Sequence, residues 1–485
     1  MERLSLENLP ENTDRFSYDR DSIGIGIVHL GLGAFHKGHQ AVYTDDVLIQ
    51  HGGDWGICGV SLRRPKARDD LMPQDGLYTL VVKDTGETKR RVIGAIKEVL
   101  VAPENPKAVI DKLASKTTHI VTLTITEKGY CVDPSTKTLD ITHPDVAHDL
   151  KNLDAPKSAI GYLVAALIKM QQAGAGSLTI ISCDNMPHNG RVLKDAVLDF
   201  ARAFDMALAQ WIESEIAFPS TMVDRIVPAT TPEDIAENVK AIGVDDHGVT
   251  KTEPFCQWVI EDNFSGPRPK WEDAGAMIVS DVTAFEDAKL RLLNGPHSAI
   301  AYMGVLFNKP YVHDVMADPE MGPFVRYLME QEIAATVEAP EGMPLGPYME
   351  QLCARFENET LEHSTQQISN DGSQKLPQRI LAPLMARMDM GLDSPGLTMV
   401  LAIWMECVAR SVDPNDSLKL EDPLHHIYEE VLGDGGKGAK ELISALFSIS
   451  EIFPESLAQN TSLCAQVLAH IEGLRHLGFK GDLAA

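Results

Sequence analysis

An amine, an amide and an imidazole stand close together in an otherwise mainly apolar stretch, Lys289-Leu290-Arg291-Leu292-Leu293-Asn294-Gly295-Pro296-His297. That combination points to chemistry on a hydroxyl or carbonyl. A lysine in an apolar surround has its ammonium form destabilised, which brings its pKa towards the range where it takes and returns a proton near neutral pH. Lys289 is therefore the candidate acid/base. At about 100° per residue, a continuous α-helix would put Asn294 about 140° and His297 about 80° round from Lys289, on one broad face. Gly295-Pro296 works against continuity, because proline lacks an amide donor and clashes with the preceding turn. Asn294 would then end one helix and cap another beginning at Pro296. The plainer alternative is a surface lysine at the edge of a helix, with Asn294 a cap and His297 a core histidine.

The elements that position these residues begin with Gly24-Ile25-Gly26-Ile27-Val28-His29-Leu30, a buried strand that runs into Gly31-Leu32-Gly33-Ala34-Phe35-His36. Strand, glycine turn and helix, in that order, make a dinucleotide-binding turn. Gly31 and Gly33 let backbone amides approach a pyrophosphate where no Cβ intervenes, and the helix start adds favourable partial charge. His36 occupies the third glycine position of the motif. The helix is expected to run through Gln40 to Ile49, and a second strand over 55–62 completes a βαβ unit. Further strand-like runs at 118–125 and 177–182 end in polar residues, Thr126-Glu127 and Asp184-Asn185, where open α/β sheets bind ligands. A helical pattern over 160–170 lies between them, so the first half alternates β and α.

From about residue 280 the texture becomes one of long amphipathic runs, including 323–335, 378–390, 397–411 and 440–449. The expected fold class is α/β, with a Rossmann-type dinucleotide-binding domain over 1–280 and a mainly α-helical domain over 281–485. A chain of 485 residues exceeds the size at which one core keeps growing. Its 43 Lys and Arg against 70 Asp and Glu, a formal charge of −27, argue against nucleic acid or an anionic membrane as partner. Seven scattered cysteines with no C-x-x-C pair read as reduced thiols. No apolar signal core opens the chain, and no run is expected to reach the roughly 18 apolar residues of a membrane helix. The expectation is a cytoplasmic protein.

Taken together, these residues resemble the polyol-specific long-chain dehydrogenases, the family of mannitol 2-dehydrogenase and fructuronate reductase. The likeness runs through Gly31-x-Gly33-x-Phe35-His36, Leu123-Thr124-Ile125-Thr126-Glu127-Lys128-Gly129-Tyr130, Ser182-Cys183-Asp184-Asn185-Met186-Pro187, Phe218-Pro219-Ser220-Thr221-Met222-Val223-Asp224-Arg225 and Gln257-Trp258-Val259-Ile260-Glu261. It ends on a K-x-x-x-x-N-x-x-H signature at Lys289, Asn294 and His297. The resemblance implies a zinc-independent hydride transfer with a nicotinamide cofactor. It implies Lys289 as general acid/base, Asn185 and Asn294 hydrogen-bonded to the reacting oxygen, His297 and Asp224 on substrate hydroxyls, and Glu127 as a proton relay. No metal ligand is implied.

Two departures from the family pattern stand out. Pro296 replaces a common serine or threonine, and the turn after the second strand reads Leu62-Arg63-Arg64-Pro65 where NAD-preferring relatives tend to carry acids. Arg63 and Arg64 suit a 2′-phosphate, so NAD is expected with NADP also compatible. Within the family, Asp371-Gly372-Ser373-Gln374-Lys375-Leu376-Pro377-Gln378-Arg379 looks like the fructuronate reductase branch; mannitol-type enzymes carry arginine where Gln367 stands. Lys375 and Arg379 are then the candidates for pairing a substrate carboxylate. The expected reaction is D-fructuronate to D-mannonate, with D-mannitol to D-fructose as the alternative, on a small-molecule sugar acid or polyol by a monomer. A zinc alcohol dehydrogenase is disfavoured because the 16 histidines and seven cysteines show no ligand-like spacing. A cofactor-sensing regulator would have no use for the lysine, asparagines and histidine together.

Overall fold

The run Ile25–Leu30 forms strand β1, buried along nearly its whole length. It belongs to a six-stranded sheet with β2 (Gly56–Ser61), β3 (Ile96–Val101), β4 (Ile120–Leu123), β5 (Leu178–Ser182) and β6 (Ile216–Ala217). The order is β3-β2-β1-β4-β5-β6 and every neighbouring pair is parallel. This is the doubly wound dinucleotide-binding order, whose direction reverses between β1 and β4. Alternation along each strand sends side chains to opposite faces. Val28, Leu30, Val121 and Leu123 pack into one core with α3 (Ala159–Gln172) and α4 (Asn189–Phe204). Ile27 and Ile120 point the other way, into a core with Val47, Trp258 and Trp271.

The computed structural model describes residues 1–133, 136–433 and 437–481, and the chain forms two compact units, Met1–Thr283 and Ala284–Ala485. The expected strands fall within a residue or two of the observed ones, but the helix after the glycine turn differs. It is broken into α1 (Ala34–Gly38) and α2 (Gln40–His51), with His39 at φ −130°, ψ −89°. Tertiary contacts explain the break. The Gly38 carbonyl accepts from Arg225 Nη1 at 2.7 Å, and His39 Nε2 lies 2.8 Å from the Gln257 carbonyl.

The second unit is helical. It opens within α5 (Thr283–Ala288), which continues as a π-helical stretch, Lys289–Asn294, and then α6 (Gly295–Leu306). Helix α7 (Leu345–Phe356) and α8 (Gly372–Leu376) follow, the latter running into a second π-helical stretch at Pro377–Leu381. Helix α9 (Pro395–Val412) packs against α6 and α10 (Thr461–Leu477). Contrary to the sequence expectation, α9 is long and apolar enough to cross a membrane. Its side chains are nearly all buried inside the second unit, which accounts for its composition.

Candidate active site

In the first unit the glycine turn follows β1 directly. Gly31 has φ +92°, and a Cβ there would stand 2.2 Å from the Thr124 carbonyl, so both conformation and packing require glycine. Gly33 differs. Its backbone is ordinary, and a Cβ would meet nothing nearer than the Gly31 carbonyl at 3.7 Å. Neither packing nor conformation demands a glycine, and the reason that remains is close approach of a phosphate to backbone amides, so the turn fits a dinucleotide. Phe35 is half-buried and stacks on His39 at 5.0 Å. His36 is fully enclosed and stacks on His29 at 3.5 Å and 18°. Its imidazole is packed within the protein, stacked on its neighbour.

The histidine pair is held neutral. His29 lies between Thr122 Oγ1 at 2.8 Å and Thr124 Oγ1 at 2.9 Å, and burial pushes its pKa down to about 3. Burial, reinforced by His29, puts His36 well below its usual range. Beyond β2, Arg63 and Arg64 are both exposed. The acids that follow them are engaged: Arg68 holds Asp69 at 2.8 Å and also Glu104, while Lys66 holds Asp70 at 2.7 Å.

At the carboxyl ends of β4 and β5 the polar residues meet as the sequence suggests. Asp184 accepts from the Thr126 and Ile125 amides and from the Tyr130 hydroxyl, which also lies 2.5 Å from Ser182 Oγ. Glu127 and Asn185 follow these two strands with exposed side chains. Asp224 ends the strand Thr221–Asp224 and is 5% exposed. Beside the start of α4 a cavity of about 280 Å³ is lined by His188, Arg191, Ser220, Glu261 and Asp281 among others, and none of the candidate catalytic, substrate-binding or cofactor-binding residues lines it.

In the second unit Lys289 is only 7% exposed and opens the π-helical stretch. Gly295 N–H donates to the Leu290 carbonyl, five residues back. This overturns the expected helix break. The wider turn relieves the clash between a proline ring and the carbonyl four residues earlier, so Pro296 sits in the first turn of α6 without ending the helix. Asn294 accordingly makes no side-chain cap. With hydrogen bonds spanning five residues, Lys289 and Asn294 come one above the other, closer than α-helical spacing would put them.

The second π-helical stretch packs against the first. A Cβ on Gly295 would stand 2.9 Å from the Arg379 carbonyl oxygen, so the approach depends on glycine. In return, Arg379 Nη1 donates to Ser298 Oγ at 3.1 Å and lies 3.5 Å from the Asn294 carbonyl. Lys375 Nζ donates to the carbonyls of Asn370 at 2.6 Å and Ile368 at 3.2 Å. Both candidate carboxylate ligands thus also brace the backbone.

His297 stacks on Phe356 at 5.5 Å and lies 4.7 Å from His363. Burial pushes its pKa well below the usual value, and His363, Arg379, Arg355 and Lys375 push in the same direction. His363 itself is pushed down to about 4 by burial and Arg355. His297 Nε2 is buried with no hydrogen-bond partner among the described residues. Arg355 and His363 were not found from sequence. They lie 58 and 66 residues beyond His297 on separate elements, and no motif links them.

Residues 25–273 match the mannitol dehydrogenase Rossmann domain and residues 281–475 the mannitol dehydrogenase C-terminal domain. The chain belongs to the mannitol dehydrogenase family. Within that family it is 42% identical to the D-mannonate oxidoreductase of Escherichia coli over 99% of this chain and 98% of the relative. It is 39% identical to the mannitol 2-dehydrogenase of Pyrenophora tritici-repentis over 98% and 84%. The Pseudomonas fluorescens mannitol 2-dehydrogenase, solved as a ternary complex with NAD and D-mannitol, matches with a TM-score of 0.85 at 35% identity over 98% of this chain and 97% of that one. A D-sorbitol dehydrogenase matches with a TM-score of 0.90 at 32% identity over 99% of each. As a member of this family the protein is a nicotinamide-dependent oxidoreductase of polyols or sugar acids.

Proposed function

We propose that the protein interconverts D-fructuronate and D-mannonate. The observation that carries this reading is His297: a buried Nε2 with no partner among the described residues, in surroundings that include His363, Arg379, Arg355 and Lys375. Buried ring nitrogens are normally hydrogen-bonded, so Nε2 is matched to a substrate hydroxyl. Concentrated guanidinium and ammonium charge suits a carboxylate, which arginine engages by charge-assisted, bidentate contacts. The E. coli relative named for D-mannonate gives independent support.

A nicotinamide dinucleotide held at the Gly31–Gly33 turn would supply the hydride chemistry. Lys289, buried at the start of the π-helical stretch, accepts the hydroxyl proton in oxidation and returns it in reduction. Asn294 donates to that oxygen as it gains charge. His297 holds a neighbouring hydroxyl. At the ribose end, Arg63 and Arg64 stand exposed while the acids after them are paired with Arg68 and Lys66. That end accepts NAD and gives the 2′-phosphate of NADP a favourable partner.

Arg379 braces Asn294, so removing it will slow every substrate. The informative quantity is therefore a ratio. In Arg355→Ala and Arg379→Ala proteins, kcat/KM for D-fructuronate divided by that for D-fructose should fall about tenfold or more, because only the uronate loses a charge-assisted contact. An unchanged ratio in both variants would reject the carboxylate assignment and leave a mannitol-type polyol dehydrogenase.

A further inference from the structure

Asp184 does more than end a strand. Its Oδ1 accepts from the Thr126 amide at 2.8 Å, and its Oδ2 accepts from the Ile125 amide at 3.0 Å and the Tyr130 hydroxyl at 2.6 Å. All three donors belong to the segment that carries Glu127. On its other side, the Asp184 carbonyl accepts from Asn189 Nδ2 at 3.0 Å. Asn189 is fully buried and also exchanges hydrogen bonds with the Thr221 backbone, at 2.9 Å in each direction. The segment 185–188, which carries Asn185, is therefore pinned at both ends.

Thr126 shows what this arrangement costs. Its backbone sits at φ 63°, ψ 162°, a conformation that glycine adopts freely and threonine avoids. Such a residue persists only where its surroundings over-determine it. Here the Asp184 carboxylate grips its N–H, and its carbonyl accepts from the Gly129 amide at 2.9 Å. The turn folds back so tightly that a Cβ on Gly129 would lie 2.9 Å from the Ile125 side chain. Glu127 follows as the first residue of the one-turn 3₁₀ helix Glu127–Tyr130. The direction of its side chain is thus inherited from a strained residue, and the strain is held by Asp184.

We propose that Asp184 is a positioning residue: it fixes the loop of Glu127 and the loop of Asn185 relative to each other by holding Thr126 in its left-handed backbone. The proposal rests on the roles that the family resemblance implies for Glu127 and Asn185, and it adds the residue through which both are set. It also explains why a buried carboxylate follows β5 with three donors converging on it, an arrangement that would be expensive without a geometric purpose.

The test uses four variants of the full-length enzyme: Asp184→Asn, Thr126→Gly, the double variant and Glu127→Gln. Asparagine keeps the shape of Asp184 but turns an amide donor towards one of the backbone donors. Its kcat should fall by about ten- to a hundredfold, the scale of a small misplacement of reacting groups, while the dissociation constant for the dinucleotide stays within about twofold. Its kcat–pH profile should lose the same limb that Glu127→Gln loses. The double variant should recover kcat by at least about threefold over Asp184→Asn, because glycine takes the Thr126 backbone without strain. Wild-type kcat and pH profile in Asp184→Asn, or a double variant no faster than the single one, would overturn the proposal. A Glu127→Gln enzyme with a wild-type profile would strike at the Glu127 role alone, and the rescue by glycine would still decide the positioning role. Should Asp184→Asn fail to fold, Tyr130→Phe removes one donor from the same carboxylate; it should lower kcat in the same direction with the dinucleotide affinity kept, and an unchanged kcat would again overturn the proposal.

Discussion

Gly295→Ala puts the packing of the two π-helical stretches to a direct test. The new Cβ would stand 2.9 Å from the Arg379 carbonyl oxygen and 3.5 Å from Ile333 Cδ1. The first contact is about 0.5 Å short of ordinary van der Waals distance, and its partner is backbone, so one stretch must move. Overpacking of this kind costs about 1–3 kcal/mol. Alanine's better helix propensity offsets about 1 kcal/mol of that. A net loss of about 1 kcal/mol lowers Tm by roughly 2–4 °C in a unit of this size. The catalytic effect should be larger than the stability effect, because the displaced segment carries Lys289 and Asn294 on one side and Arg379 on the other. A shift of several tenths of an ångström at the reacting oxygen is expected to lower kcat about tenfold or more, with the dinucleotide dissociation constant unchanged. Thermal unfolding, fluorescence titration with the dinucleotide and initial-rate kinetics on one preparation would settle it. A variant with a lowered Tm but wild-type kcat would show that the π-helical contact is packing alone, and the reasoning would fail.

Lys289→Ala should keep folding and dinucleotide binding while lowering turnover by about a hundredfold or more; retention of a third of wild-type turnover across the pH range would remove Lys289 as the acid/base. In the wild type, oxidation should speed up as pH rises and the lysine loses its proton, whereas reduction should favour lower pH. Arg64→Asp should shift the ratio of kcat/KM for NADP and NAD towards NAD, and an equal ratio before and after would place Arg64 outside the site. Stability should also report the neutral histidines. His29 and His363 have folded pKa values pushed down to about 3 and 4, so between those values and their unfolded value of about 6.5 the unfolded chain binds more protons. Their contribution is complete above about pH 6.5 and is lost as pH falls through that window. Asp45, pushed up to about 6 by burial, acts in the opposite sense between its unfolded value and pH 6, so a comparison of variants is cleaner than an absolute curve. His29→Asn should flatten the dependence of the unfolding free energy on pH between about 4 and 6.5 relative to wild type; parallel curves would show that His29 is not held neutral.

The Rossmann half was legible because its signals are local. A buried strand followed by Gly31 and Gly33 needs only neighbouring residues to be read, and Thr126-Glu127 and Asp184-Asn185 sit at strand ends where hydrophobic runs stop. The helix break at His39 was not legible, since it is imposed by Arg225 and Gln257, 187 and 218 residues away from their partners. Gly295-Pro296 misled for a different reason. Proline argues against an α-helix, but the π-helical turn before it removes the clash on which that argument depends. The glycine motif marks His36 as near the turn without saying which way its side chain points, so its stack on His29 was not legible. Arg355 and His363 became visible only when α7 and the following loop were folded against His297.

In the proposed reaction the basic surroundings of His297 receive a substrate carboxylate. Initial rates of NADH and NADPH oxidation by the wild-type enzyme, with D-fructuronate and D-fructose as alternative substrates at the same pH, test it most directly. A charge-assisted contact that only the uronate makes is worth about 1.5–3 kcal/mol, so kcat/KM for D-fructuronate should exceed that for D-fructose by about ten- to a hundredfold or more. Comparable values for the two substrates, or a preference for fructose, would show that no substrate carboxylate is bound there.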